Sequence, residues 1–487
     1  MDSNPCKRRG TGLDLGRVLS DSQIEKLNKS AEDILENTGF KVLDEDGLSR
    51  CAAVGANVDE ASGLVRLPRE LLYELVAQAP SAYAISSIGG ASWEIGGEKQ
   101  WGLAIVTDPW IIDRDTCEPR RPKLDDVRRH TAVAQGMDCV AGMSCMDFPA
   151  DDAPGLASSL RAWETHLLHS AKHYHYIPAS AESNRRWRAI VEILGDGCAA
   201  DARRLFSVHA AVISPLCISR DNVDLIRLAC AYDAPVVPTI CPMAGSTGPY
   251  THAGTLLLGH AENLFLCALT QVFRPGLPFL YAFGPSVTDL RTSHDLYYTL
   301  DKALWKTASV QLAHANALPV MAEAGGSMTP AYDLQNGMEG SFFMAAATAS
   351  DADVLSGFGS CYCAMGMSAE MMIIQETWLK AARFLQRGID TNEDKLGLES
   401  IRKTGPGGHF LTDPLTLQQM HGSEFFEDGL FNYAPAEQVG KSMLQRAQDK
   451  VENCVADHQS PVPERIQEKL KRYFHDECLR VEQGKFG

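Results

Sequence analysis

Apolar side chains recur every three to four positions through "DSQIEKLNKSAEDILENTGF", residues 21–40. That spacing predicts an amphipathic helix, with Gly39 at the position where helices often end in a left-handed residue. The following stretch, "DEDGLSRCAAVGANVDEASGLVRLPRELLYELVAQAP", predicts a helix, a short hairpin over a Ser-Gly turn, and a second helix. "YAISSIGGASWEIGGEKQWGLAI" is strand-like. Together these predict an N-terminal α+β cap over residues 19–98. Before it, residues 1–18 begin with the basic, polar "MDSNPCKRRGTG", which has no apolar stretch behind it. They are expected to form a disordered leader rather than a signal peptide.

From residue 99 the pattern changes. Short apolar runs alternate with longer amphipathic segments: "CVAGMSCM", "HYHYIPAS", "LFSVHAAVIS", "APVVPTICPM", "LPFLYAFG", "LPVMAEAGG" and "ADVLSGFGS". Near-continuous apolar strands alternating with helices predict a parallel sheet covered on both faces. Seven clear strands and a weaker one fit an α/β fold, a (β/α)₈ TIM barrel with C-terminal helices, over residues 99–487. An open doubly wound sheet fits less well, because no GxGxxG follows a first strand.

The strands end in small residues, among them Gly245, Thr247, Gly248, Gly325 and Gly326. In a barrel that end holds the active site. Small residues there leave a wide bowl, so these five are expected to face a large cofactor or a partner protein presenting one. The formal charge of −17 argues against nucleic acid or an anionic membrane as partner. The 14 cysteines show no framework spacing, so reduced thiols and a cytoplasmic location are expected.

Three histidines, His169, His173 and His175, lie in "HSAKHYHYIP", but the last two precede a strand at the barrel's bottom. No HExxH or CxxC is present, and no bound metal is expected. Nor is there a GxSxG elbow or a P-loop. Aromatics at the strand ends are the remaining chemistry: Tyr250, Phe283, Tyr332, Phe358 and Tyr362. Aromatic faces brought together hold a quaternary ammonium by cation–π attraction, about 0.5–2 kcal/mol each. Glu323 and Asp333 are candidates for its counter-charge. The alternative is that these rings only pack.

The chain resembles the trimethylamine methyltransferase family of corrinoid-dependent enzymes. The resemblance is carried by "TGFKVLDEDGLSRCAAVGANVDEASGLVRLP" in the cap. In the barrel it is carried by "PRRPKLDDV", "SPL", "AGSTGPYTHAGTLLLGHAEN", "RPGLPFLYAFGPSVTDLRT" and "GPGGHFLTDPLT". The family's loop after the strand that ends in Gly325-Gly326 is similar to Ser-Asp-Ser-Lys-x-x-Asp-x-Gln-x-Gly-x-Glu. In "AEAGGSMTPAYDLQNGMEG", residues 322–340, Ser327, Asp333, Gln335, Gly337 and Glu339 match it. Met328, Thr329 and Pro330 replace Asp, Ser and Lys. Founding members carry pyrrolysine at the mouth, and nothing in residues 327–332 imitates its imine.

The resemblance implies methyl transfer from a methylated amine to Co(I) of a corrinoid (cobalamin) carried on a cognate partner protein. Without pyrrolysine, the expected donor is a quaternary amine, which leaves as a neutral tertiary amine and needs no general acid. Glycine betaine is the first expectation, then proline betaine or carnitine. Ser327, Thr329, Asp333 and Gln335 are expected to position the loop. Arg291, His409 and the backbone N–H groups of Gly248 or Gly326 are candidates for a substrate carboxylate. A homodimer is expected from the family and the size. The alternatives are a non-catalytic quaternary-ammonium binding protein and a methyltransferase for another methylated amine.

Overall fold

The computed structural model describes residues 14–153, 155–178, 180–195, 204–420, 422, 424–435, 438 and 440–484. Eight strands line the barrel: β1 (Trp101–Ala104), β2 (Val140–Met146), β3 (His173–Ile177), β4 (Phe206–Ala211), β5 (Val236–Thr239), β6 (Tyr281–Ala282), β7 (Val320–Glu323) and β8 (Val354–Phe358). All are parallel in the order of the sequence, and β8 pairs with β1. A parallel bridge between Val236 and Phe279 completes the ring. The chain is therefore a closed (β/α)₈ barrel. The weaker eighth strand is β1, at the end of the strand-like stretch that follows the cap.

Each strand is followed by its helix: α1 (Leu124–Gly136), α2 (Ser158–His169), α3 (Ala181–Gly195), α4 (Arg220–Tyr232), α5 (His252–Phe273), α6 (Asp301–Ala315), α7 (Leu334–Ala349) and α8 (Ala369–Gln386). Side-chain alternation sorts the strands. Tyr174 and Tyr176 of β3 point outward into the helix layer, where Tyr176 stacks on Trp187. His173 and His175 point into the lumen, where His175 Nδ1 lies 3.1 Å from both Ser207 Oγ and His209 Nε2. Burial pushes His173 down to about 3 and His209 to about 4, so both are neutral. His169 pairs instead with His458 on the outside, 3.2 Å away. No group of three metal-type ligands occurs among the described residues.

The region before the barrel does two jobs. The helices Asp21–Asp33 and Arg69–Val76 pack on α5. Phe40 stacks on Phe265 of α5, with centroids 4.0 Å apart. This cover explains why α5 carries a single acidic residue, Glu262, and is apolar all round. It is long and apolar enough to cross a membrane, yet most of it is buried inside the fold. The hairpin Tyr83–Ser86 and Ser92–Ile95 plugs the barrel's bottom, where Tyr83, Ile85 and Ile95 meet Leu103, Val237 and Val354.

Residues 1–13 of the expected leader lie outside the described residues. Its last residues are anchored rather than loose. Thr307 donates to the Leu15 carbonyl at 3.0 Å, and the Val18 and Leu19 N–H groups donate to Gln311 at 2.9 Å each.

Two measurements check this packing. A Cβ on Gly259 would stand 2.0 Å from the Phe283 ring. Gly259→Ala is expected to lower unfolding stability by about 1–3 kcal/mol in denaturant titration. Glu262 accepts from Leu216 N at 2.9 Å and Ser214 Oγ at 2.8 Å, but burial outweighs both and raises its carboxyl to about 7. The folded state thus holds this proton more tightly than the unfolded chain. Its contribution is present below the ordinary carboxylate range and is lost as pH rises through about 7. Glu262→Gln is expected to flatten that part of the stability–pH curve.

Candidate functional site

Two small sheets rise above the mouth. One joins Trp110–Ile112 and Pro119–Arg120, after β1, to Ser360–Cys361 and Gly366–Met367, after β8. The other joins Met243–Ala244, after β5, to the hairpin Ser286–Asp289 and His294–Leu296, after β6. They wall a bowl over the strand ends.

The floor of this bowl is charged. Glu323, the last residue of β7, alternates with Met321, which packs in the lumen, so both face inward. Two lysines one turn apart on α6 converge on it. Lys302 Nζ lies 3.0 Å and Lys306 Nζ 3.1 Å from Glu323 Oε2. Tyr297 donates to Glu323 Oε1 at 2.7 Å. Lys306 also donates to the Phe283 carbonyl. Lys302 is 1% exposed, and its ammonium lies against the faces of Tyr297 and Tyr298.

Burial alone would raise the Glu323 carboxyl, but Lys302 and then Lys306 outweigh it and hold it well below the usual carboxylate range. Burial pushes Lys302 down to about 8, although Glu323 opposes this. Two lysine side chains thus converge on one carboxylate. Lys302 meets Glu323 at ion-pair distance but out of hydrogen-bond alignment, which leaves Nζ without an acceptor among the described residues. Cys241, just past β5, is exposed in the bowl. Asp108, just past β1, is buried, and its carboxyl is pushed well above the usual range.

The loop after β7 is tied at both ends. Asp333 caps α7 by accepting from Asn336 N at 2.9 Å. Glu339 accepts from Met328 N at 2.9 Å and from Gln335 Nε2 at 2.8 Å. Ser327 Oγ accepts from Thr329 N at 3.1 Å, and Thr329 Oγ1 reaches Asp333 at 3.4 Å. Asp333, Gln335 and Glu339 therefore fasten the loop to its helix and do not enter the bowl. Gly326 has φ +126°, and Tyr298 fills the space a side chain would need, 2.2 Å from the ideal Cβ. Beside this loop three consecutive non-glycine residues, Tyr362, Cys363 and Ala364, are left-handed, with φ 48°, 55° and 59°. Such backbone is costly and persists where neighbours over-determine it. Here the Cys363 N–H donates to the Ser327 carbonyl at 2.8 Å, and Tyr362 meets Trp110 edge-on.

The five expected aromatics do not converge as a cage. Phe283 and Phe358 are fully buried, Phe283 against α5 and Phe358 over Gly102 of β1. A bulge between Leu355 and Phe358 shifts the alternation of β8. Tyr332 is packed with its hydroxyl on Ser368 Oγ at 2.6 Å. Tyr250 stands on the rim, and only Tyr362 borders the mouth. Glu323 is in the bowl as expected, but its charge is matched by the lysines. Arg291 is 94% exposed at a hairpin tip, and His409 is exposed on the strap after α8. The Gly248 N–H is spent on the Met243 carbonyl at 3.0 Å, as are those of Ser246 and Thr247. Gly245 and Gly248 shape this turn, and Gly325 packs on the Gly357 carbonyl and Gln375.

The partners of Glu323 on the bowl floor, which sequence reasoning missed, lie in "DLYYTLDKALWKT", residues 295–307. The available signal was a buried helix stripe, 302–306–310–313, whose first two positions are lysines. Around the bowl, five loops and the first residue of α7 each present an exposed apolar side chain: Leu156, Ile213, Tyr250, Leu290, Met365 and, on α7, Leu334.

Three comparisons place the chain among known proteins. The family described as trimethylamine methyltransferase (MTTB) matches residues 9–477. Glycine betaine methyltransferase of Desulfitobacterium hafniense is 27% identical over 94% of this chain and 96% of its own. Trimethylamine methyltransferase MttB1 of Methanosarcina acetivorans is 26% identical over 84% of this chain and 83% of its own. Among solved structures, the hydroxylamine complex of MtmB superposes with a TM-score of 0.50 at 12% identity, over 97% of this chain and 90% of that one. That likeness concerns the fold.

The loop tether and its helix are separable by mutation. Glu339→Ala is expected to cost about 1 kcal/mol and to speed amide exchange over residues 327–332. Gly337, inside α7 with nothing near its missing side chain, gives the opposite sign: Gly337→Ala is expected to stabilise by about 0.5–1 kcal/mol.

Proposed function

Because the chain belongs to the trimethylamine methyltransferase family, we propose that it demethylates a quaternary amine bearing a carboxylate. Glycine betaine is the first candidate, and proline betaine or carnitine are next. The methyl acceptor is a corrinoid carried by a separate protein. One observation carries this reading: on the bowl floor Lys302 and Lys306 both meet the Glu323 carboxylate at ion-pair distance, two cationic side chains on one acid. The acceptor arrives from the mouth, so the departing methyl group must point outward. The other end of the substrate then points at the floor. A carboxylate finds a partner there, in the N–H groups of Lys302 that lack an acceptor. Choline and trimethylamine bring no such group.

When its carrier is docked, the corrinoid supplies the nucleophile for the methyl group. The ring of exposed apolar side chains on the rim fits a protein partner larger than any small ligand. This chain's own residues bind, orient and exclude water. A quaternary ammonium leaves as a neutral amine, so no residue has to deliver a proton to it. What the reaction asks of the protein is alignment of the N–CH₃ bond and a dry floor. Glu323 serves by holding the two lysines in place. The strained turn at Tyr362–Ala364 serves by fixing the wall beside the loop after β7.

The protein mixed with reduced corrinoid carrier and a panel of methylated amines tests this reading. Loss of each amine is followed by NMR and the corrinoid by its visible spectrum. Glycine betaine is expected to be consumed, and choline and trimethylamine are not. Lys302→Met is expected to raise KM for the betaine by about 10- to 100-fold, with a smaller effect on kcat. Equal turnover of choline and betaine overturns the carboxylate assignment. Binding of betaine without any methyl transfer makes the chain a binding protein instead.

A further inference from the structure

The hairpin after β6 makes one wall of the bowl, and its inner face carries polar atoms without partners. Its strands, Ser286–Asp289 and His294–Leu296, pair antiparallel with Thr288 opposite Asp295. Residues directly opposite in such a pair point to the same side. Alternation puts Tyr297, two positions past Asp295, on that side too. Tyr297 reaches Glu323 on the floor at 2.7 Å, so this side is the one turned to the bowl. Val287, on the opposite side, packs back on the core.

Thr288 Oγ1 and Asp295 Oδ1 are both buried, and neither has a hydrogen-bond partner among the described residues. The other carboxylates near this wall are engaged. Glu323 is held by its two lysines. Asp289 accepts from the Arg291 N–H and from Thr292 Oγ1 at the hairpin tip. Asp333 and Glu339 cap and tether the loop after β7. Asp295 keeps an oxygen that no described donor meets, which is costly for a buried polar atom and marks a place where something further is held. Its backbone is also fixed from across the bowl. The Cys363 thiol, in the left-handed turn after β8, donates to the Asp295 carbonyl at 3.2 Å.

We infer that Asp295 holds the cationic end of the substrate, with Thr288 beside it. This rests on the carboxylate of the same substrate meeting Lys302. A quaternary ammonium has no N–H to donate, so it is recognised by charge and fit, and it needs a carboxylate not already spent on a donor. Tyr297 lies against the Lys302 ammonium. Asp295 stands two residues farther from the floor, about 7 Å along the strand. A short zwitterion is thus read at two heights, its anion on the floor and its cation on the wall. The N-methyl groups are left toward the mouth. When the methyl group leaves, the bonding pair stays on nitrogen and its positive charge disappears. Asp295 therefore favours the bound substrate over the transition state, and binding reports it more directly than turnover.

Calorimetric titration of the full chain with glycine betaine and with tert-butylacetate, its carbon isostere, tests the inference. The two ligands share a shape and a carboxylate, and only the betaine carries a positive charge. Asp295→Asn keeps the size of the side chain and removes its charge. It is expected to cut the preference for betaine over tert-butylacetate by about 10-fold, with the affinity for tert-butylacetate held within about two-fold. Lys302→Met is expected to weaken both ligands alike. Asp295→Asn is expected to unfold at no lower denaturant concentration than the wild type, because the lost charge has no described partner. An unchanged preference in Asp295→Asn overturns the assignment of Asp295 and leaves the proposed substrate class standing. Equal loss of both ligands also overturns it, since the residue then only shapes the wall. Failure of the wild type to bind either ligand overturns the carboxylate reading of the floor, and this inference with it.

Discussion

Closure of eight parallel strands is the constraint on which everything else rests. A closed parallel sheet exposes no edge and hides both faces. Every residue of each strand must then be either lumen or helix layer. The bulky aromatics went outward, as Tyr174, Tyr176 and Phe206 did. The lumen is mixed: Leu103, Val237, Leu280 and Val354 pack on the plug, His173, His175 and Ser207 lie among them, and Glu323 stands at the top. The charged floor of the bowl follows from this sorting, because the last inward position of β7 is an acid that must be paired.

A carboxylate at that depth is costly unless matched, and removing one partner of a buried ion pair typically costs about 3–5 kcal/mol. Lys302 and Lys306 match it from α6, helped by the Tyr297 hydroxyl. The arrangement over-matches it, and that surplus gives the bowl a chemical direction. It also accounts for the surrounding glycines. Gly326 admits the Tyr298 ring, and Gly284 leaves space that a Cβ would close to 3.0 Å from the Tyr297 hydroxyl. Gly326, expected to face a cofactor, thus makes room for the protein's own Tyr298.

Local rules were enough for much of this. The alternation of apolar runs and amphipathic segments fixed the barrel, the strand ends and the face that carries the site. The resemblance in the loop after β7 pointed to the right family. In the fold Asp333, Gln335 and Glu339 form a cap and a tether. The aromatic cage failed for a geometric reason. Phe283 and Phe358 are adjacent to strand ends in sequence, but one position of alternation, or one bulge, turns a ring from the bowl to the helix layer. Trp101–Ala104 looked like part of the cap because the plug hairpin before it is equally strand-like.

The sequence by itself determined the number, order and direction of the elements, since periodicity is a local property that each segment carries alone. Only the tertiary structure decided which residues share the bowl. Lys302 and Lys306 lie on α6 and Glu323 on β7, and nothing in the spacing of the lysines from the acid announces that they meet. Their meeting depends on where α6 lies against β7, which is set by packing across the whole barrel.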